Sequence, residues 1–174
     1  MSERNKLYKI HVVDLSTCIG CETCQEVCSF INNDKAFIKV YRVHGGIPVP
    51  LNCRHCEKAA CIEVCPTLAI YRDDSGAVLI NPARCIGCKL CIMACPFGIP
   101  EMDPVDKVVV KCDLCSLRRS NGLSPACFAL CPSAAILYGP PEEVLKFAQA
   151  RAAERIARAK VLGELELGLK SWLL

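Results

Sequence analysis

Cys85-Ile-Gly-Cys88-Lys-Leu-Cys91-Ile-Met-Ala-Cys95-Pro96 spaces four thiols by two, two and three residues and follows the last with proline. Three of these thiols can close on one site from a single tight loop. The fourth lies four residues beyond the third, about 6 Å further along a helix. The run recurs three times in variant form. These copies are Cys18-x2-Cys21-x2-Cys24-x3-Cys28, Cys53-x2-Cys56-x4-Cys61-x3-Cys65 and Cys112-x2-Cys115-x11-Cys127-x3-Cys131. Together the four runs absorb all 16 cysteines of the 174-residue chain. Proline follows the last cysteine in three of them, and Ser29 stands there in the first.

Three chemistries compete for so many cysteines. A disulfide scaffold needs an oxidising compartment. The start Met1-Ser-Glu-Arg-Asn-Lys-Leu-Tyr-Lys reads as neither a signal peptide nor a twin-arginine leader. Pairing also gives no reason for repeated C-x2-C-x2-C. Structural zinc favours paired C-x2-C knuckles around one tetrahedral ion, which explains neither the third cysteine nor the C-x3-C-P ending. Iron–sulfur cubanes explain both, because three thiolates of one loop bind three irons and a distant cysteine binds the fourth. Four runs therefore predict four [4Fe–4S] clusters and one-electron transfer as the function. No nucleophile or acid–base pair stands out among Asp14, Ser16 and Asp103, so the chain is not expected to be an enzyme by itself.

Composition agrees with that chemistry. The hydrophobic fraction of 52% counts the cysteines, and aromatic residues make up only 6%. Clusters would replace part of the side-chain core and link folding to cofactor assembly. The formal charge is +3. Four clusters at roughly −2 each would carry it to roughly −5, so the basic residues offset cofactor charge and signal no nucleic acid. No apolar run approaches the roughly 20 residues of a membrane span. A soluble, cytoplasmic protein of anaerobic metabolism is expected.

Short strands and turns separate the motifs. Tyr8 to Val13 alternates like a strand, and Ala36 to Val43 is a second candidate, closed by Gly45-Gly46 and Pro48. Leu68 to Tyr71, the turn Asp73-Asp-Ser-Gly76, and Ala77 to Ile80 read as a β-hairpin. Val108 to Val110 reads as a strand, and the insertion between Cys115 and Cys127 as a loop. Proline should stop each short helix after its last cysteine. From Pro140 an amphipathic helix is expected, with Leu145, Ala148, Ala152, Ile156 and Ala159 at helical spacing and Gly163 ending it. Such a helix either packs on its own domain or docks a partner or a second copy, and the Trp172-Leu-Leu174 end favours a contact.

Gly20 and Gly87, inside the Cys-Ile-Gly-Cys loops, would let backbone N–H groups approach cluster sulfurs. His55, between Cys53 and Cys56, reads either as a hydrogen-bond donor to sulfur or as an ordinary loop residue. His11 and His44 have no ligand partners at useful spacing.

The four motifs, with x4 in the second and x11 in the fourth, resemble the four-cluster iron–sulfur subunits of molybdenum and tungsten pterin oxidoreductases. Dimethyl sulfoxide reductase, formate dehydrogenase and tungsten aldehyde oxidoreductases have such subunits, and related ones serve hydrogenases and carbon monoxide dehydrogenase. The resemblance covers about residues 8 to 138 and implies an α+β fold of tandem bacterial-ferredoxin-like modules. Residues 8–52 and 100–138 would form the outer two-cluster module, 53–99 the inner one, and 139–174 a C-terminal helical extension. It also implies crossed ligand sets. Cys53, Cys56, Cys61 and Cys95 would hold one inner cluster, and Cys85, Cys88, Cys91 and Cys65 the other. The outer sets would be Cys18, Cys21, Cys24 and Cys131, and Cys112, Cys115, Cys127 and Cys28. The implied partners are a catalytic subunit, with a tungsten or molybdenum aldehyde- or formate-type enzyme favoured, and a second donor or acceptor such as a flavin subunit or ferredoxin. The alternatives are a free-standing polyferredoxin and an electron-transfer subunit of a hydrogenase or carbon monoxide dehydrogenase.

Overall fold

A computed structural model describes residues 10–172, with side chains described to Leu162. Residues up to Pro140 form one compact unit and those from Pro141 a second. The first unit holds four two-stranded antiparallel sheets with short helical turns between them. Strand β1, Ile10–Val13, pairs with the last strand, β8, Ile136–Gly139, so that Val13 faces Ile136. The ends of the motif region therefore meet. Between them lie three local ribbons. These are β2 (Ile38–Val43) with β3 (Ile47–Asn52), β4 (Ile70–Arg72) with β5 (Val78–Ile80), and β6 (Glu101–Met102) with β7 (Val109–Val110).

The hairpin β4–β5 follows the sequence expectation, and its turn is held locally. The Asp73 carboxylate accepts from the Ser75 and Ala77 N–H groups at 3.0 and 2.9 Å. Strand β3 was not anticipated, because Pro48 was expected to close the preceding strand. Pro48 and Pro50 instead sit opposite Arg42 and Val40. Being two residues apart, both prolines face the same way along β3. In a two-stranded ribbon each strand has one free edge, where a missing N–H costs nothing. The first strand was expected from Tyr8; Ile10–Val13 is observed, and residues 8 and 9 lie outside the described part.

Helix α1 spans Thr23–Ile31, while α2 (Ala60–Glu63), α3 (Leu90–Ala94) and α5 (Ala126–Ala129) are single turns. Each of these three turns gives way to Cys-Pro, the proline lacking the N–H that a further turn would need. The insertion expected as a loop contains α4, Ser116–Ser120. Asp113, two residues before its N-cap Cys115, accepts from the Cys115 and Ser116 N–H groups at 2.8 and 3.1 Å and steadies the entry to the turn.

Two groups of buried residues share the first unit. One joins Cys24, Cys28, Ile38, Cys127 and Ile136, with Val13, Phe37 and Phe128 packed on them. The other joins Ala59, Ile70, Val78, Cys91 and Val109, flanked by Cys56, Cys61, Cys65, Cys85 and Met102. Cysteines make up much of both, so the interior is built around thiols.

In the second unit, α6 runs from Pro141 to Trp172 without interruption. Its start carries Pro141, Glu142 and Glu143 in the first turn, as the positive end of the helix dipole favours. Gly163 does not end it. A helical glycine costs only about 1 kcal/mol, and the Ala, Leu, Glu and Lys residues around it are strong helix formers. Leu145 and Ile156 are 57% and 72% exposed. The Leu173-Leu174 part of the apolar end lies outside the described residues. Among the described residues no helix is long and apolar enough to cross a membrane.

Candidate iron–sulfur centres

Each motif opens with the same backbone device. The residue before the second cysteine is left-handed in all four: Gly20 at φ 68°, His55 at 48°, Gly87 at 65° and Leu114 at 59°. This conformation curls the loop so that successive side chains face one interior. At two motifs glycine is needed for space as well. A Cβ on Gly87 would stand 2.6 Å from the Lys107 carbonyl oxygen, and one on Gly20 would stand 2.8 Å from Pro48 Cβ. At the other two, His55 and Leu114 accept the strain of a non-glycine residue there. Their backbone N–H groups donate to the first cysteine of the loop, His55 to Cys53 Sγ and Leu114 to Cys112 Sγ, each at 3.4 Å. The N–H approach expected of Gly20 and Gly87 is thus seen at the equivalent positions of the other two motifs.

More distant donors also reach sulfur. Phe37 N–H points at Cys28 Sγ at 3.2 Å and Val109 N–H at Cys85 Sγ at 3.4 Å. Thr23 Oγ1 donates to Cys21 Sγ at 3.3 Å. The residue after each of two Cys-Pro pairs places a hydroxyl 3.7 Å from the cysteine, Thr67 at Cys65 and Ser133 at Cys131. That Cys-Pro-Thr/Ser signal was visible in the sequence. Hydrogen bonds of this kind favour the thiolate.

Two cavities gather thiols from separate motifs. One is lined by Cys53, Cys56, Cys61 and Cys95, with Lys111 and Phe97 on its wall. The other is lined by Cys28, Cys112, Cys115 and Cys127, beside Phe37 and Asn52. Electrostatic crowding links thiols inside and outside these cavities. Burial, then Cys131, Cys18 and Cys21, push the Cys24 thiol up to about 11. Burial also lifts Cys91 to about 11, with Cys85 and Cys88 adding to it. Burial raises Cys127 to about 12, helped by Cys115 and Cys28. Cys65 stands in the same buried group as Cys85 and Cys91. Crowded, buried thiols with N–H groups aimed at them gain little by ionising alone and much by binding cationic iron. Among the described residues no three His, Cys, Asp or Glu side chains converge as a single ion requires. A cubane with one thiolate per iron asks instead for thiols spread around it, as they are here.

Two histidines are buried, His55 and His11. His55 is neutral, held down to about 3 by burial and then by Lys111. Its Nδ1 accepts from Val78 N–H at 3.0 Å, which puts the proton on Nε2, and that atom is buried with no partner among the described residues. An unanswered buried donor fits a sulfur acceptor. His11, for which sequence spacing offered no role, is buried beside a thiol. Its Nδ1 meets Asn52 Nδ2 at 3.0 Å and its Nε2 meets Cys127 Sγ at 3.5 Å. No spacing signal could connect residues so far apart in the chain. His44 sits at the β2–β3 turn, at φ 42°.

Asp103 and Arg119 are structural. Asp103 accepts from Val105 and Asp106 N–H groups and pairs with Lys35, which holds its carboxyl down to about 2. Arg119, on α4, reaches Leu114 O and the Asp73 carboxylate, each at 2.9 Å. It ties the fourth motif to the turn of the β4–β5 hairpin.

Thiol-lined cavities inside a scaffold of short ribbons and turns define a polynuclear iron–sulfur protein, an electron carrier. Comparison with known proteins agrees. Residues 46–140 match the 4Fe-4S dicluster domain, and residues 15–31 match a 4Fe-4S binding domain. The chain is 36% identical over 152 residues to the thiosulfate reductase electron transfer subunit of Salmonella typhi, covering 80% of this chain and 78% of that one. It is 36% identical over 177 residues to the formate dehydrogenase iron-sulfur subunit of Haemophilus influenzae, covering 84% and 56%. It is 33% identical over 152 residues to one of the chains of the anaerobic dimethyl sulfoxide reductase of Escherichia coli, covering 77% and 74%. The chain belongs to the 4Fe-4S dicluster ferredoxin family, and its cofactors are [4Fe–4S] clusters, four for its four motifs.

Proposed function

We propose that this chain is the electron-transfer subunit of a larger oxidoreductase complex and takes no part in substrate chemistry. Its partner would be a catalytic subunit of the molybdenum or tungsten pterin kind, with a flavin subunit or ferredoxin at the other end, in the cytoplasm. The relatives above, named as subunits of reductases and a dehydrogenase, support this setting. The chain spans only 56% of the formate dehydrogenase subunit, so the partner enzyme and substrate belong to the proposal.

The observation that carries the reading is the pair of cavities, each lined by four thiols from two motifs. It supports the ligand sets Cys53, Cys56, Cys61, Cys95 and Cys112, Cys115, Cys127, Cys28. By the same crossing, Cys85, Cys88, Cys91 and Cys65 form the third set, and Cys18, Cys21, Cys24 and Cys131 the fourth. Residues 53–99 then act as the inner module, and 8–52 with 100–138 as the outer one. When bound, each cluster supplies a one-electron couple. The chain's own residues hold it. Phe37, Val109, His55 and Leu114 N–H groups face cysteine sulfur, and His55 Nε2–H offers a further donor.

Iron, sulfide and metal analysis of the complex purified anaerobically tests the reading. About sixteen irons and sixteen sulfides per chain, four of each per cluster, with molybdenum or tungsten alongside, are expected. Nickel would point to a hydrogenase or carbon monoxide dehydrogenase. A chain that purifies alone with its clusters would be a free polyferredoxin.

A further inference from the structure

Lys111 is 6% exposed. A lysine so deep ordinarily has a carboxylate beside it, because burying an unpaired charge is costly. Among the described residues its Nζ meets only carbonyl oxygens, those of Val78 and, at 3.1 Å, Cys112. The carbonyls fix the ammonium without neutralising it. Its side chain lines the cavity of Cys53, Cys56, Cys61 and Cys95. The negative charge that such a cation calls for is what four thiolates around iron provide.

Resting on the ligand sets above, we propose that Lys111 is the fixed counter-charge of the cluster held by Cys53, Cys56, Cys61 and Cys95, and that it raises that cluster's reduction potential. Reduction adds one negative charge to a cluster. A cation kept from water is weakly screened, so it stabilises the reduced form more than the oxidised one. Lys111 does not line the cavity of Cys28, Cys112, Cys115 and Cys127, so the cluster there should respond less. Arg54 lines the same cavity but is exposed, and solvent screens it.

The test is a redox titration of the anaerobic complex followed by electron paramagnetic resonance, with Lys111→Met, Lys111→Gln and Lys111→Arg. The neutral variants should shift one cluster to lower potential by at least tenfold in its reduction equilibrium, about 59 mV for a one-electron couple. Lys111→Arg should stay near the parent, as should Arg54→Met. A neutral variant with full iron content and the parent's potentials overturns the proposal. A parent without four clusters instead overturns the ligand sets, and its iron content reveals that before any variant is made. Should neither neutral variant assemble, pulsed resonance on the reduced, 15N-lysine-labelled parent decides. A dipolar coupling that disappears in Lys111→Arg sustains the counter-charge, and no lysine coupling overturns it.

Discussion

The two thiol-lined cavities do the same chemistry with chain of very different reach. The cavity of Cys53, Cys56, Cys61 and Cys95 draws its thiols from one continuous segment, residues 53–95. That of Cys28, Cys112, Cys115 and Cys127 needs both ends of the motif region, which β1 and β8 bring together. The first can close once a hairpin has formed. The second also bears the loop-closure entropy of the long intervening chain, and it leans on His11, Asn52 and the α4 insertion. Four thiols are therefore brought to one cavity locally in one place and by the whole topology in the other.

Removing the iron should break both regions and have the largest effect. An anaerobic chelator should abolish the near-ultraviolet circular dichroism of the first unit, since its interior is built from thiols that need metal. Persistence of the native signal after complete iron loss would show that the side-chain core suffices.

Single ligand losses come next and separate the two cavities. Cys95→Ala should disturb the cluster of Cys53, Cys56 and Cys61, and Cys28→Ala that of Cys112, Cys115 and Cys127. Cys65→Ala should damage the cluster of Cys85, Cys88 and Cys91. Of these three, Cys28→Ala should lower the melting temperature most, because its cluster bridges a longer span than either inner one. Spectroscopy showing damage confined to the mutated motif's own loop would sink the crossed sets.

The loop glycines give a smaller, graded contrast. Gly87→Ala should cost about 2–4 kcal/mol, from left-handed strain and from a Cβ driven into the rigid Lys107 carbonyl. Gly20→Ala meets the Pro48 ring instead and should cost less. Thermal melts of the loaded variants would show the order, and equal melting temperatures would remove the distinction.

Arg119→Lys tests the link between the regions. Losing the hydrogen bond to Leu114 O and weakening the contact with Asp73 should cost about 1–2 kcal/mol, and should loosen the Cys112 cluster more than the Cys53 cluster. Gly163→Ala, outside both cavities, should only stabilise α6, by about 0.5–1 kcal/mol. Helical signal that falls instead would restore the break expected from the sequence.

Cysteine spacing made the chemistry legible because thiols three residues apart on a tight loop are neighbours whatever the rest of the chain does. The Cys-Pro endings and the Asp73–Gly76 turn were legible for the same local reason. Strand β3 was not, since whether Pro48 breaks a strand depends on which edge lacks a neighbour. The α4 turn was hidden in a stretch rich in turn residues, and the Asp113 contacts at its entry emerged only with the fold. Gly163 misled because a weak local penalty was outweighed by the helix formers around it.

By itself the sequence determined the number of motifs, their iron–sulfur chemistry and the one-electron role, all of which reside in short-range spacing. Only the tertiary structure decided which distant side chains surround each thiol set. The burial of His11 against Cys127, the orphan Nε2–H of His55 and the unpaired Lys111 ammonium beside Cys53 arise where separate ribbons meet. Burial and charge at such junctions are sums over neighbours remote in sequence, and spacing along the chain carries no record of them.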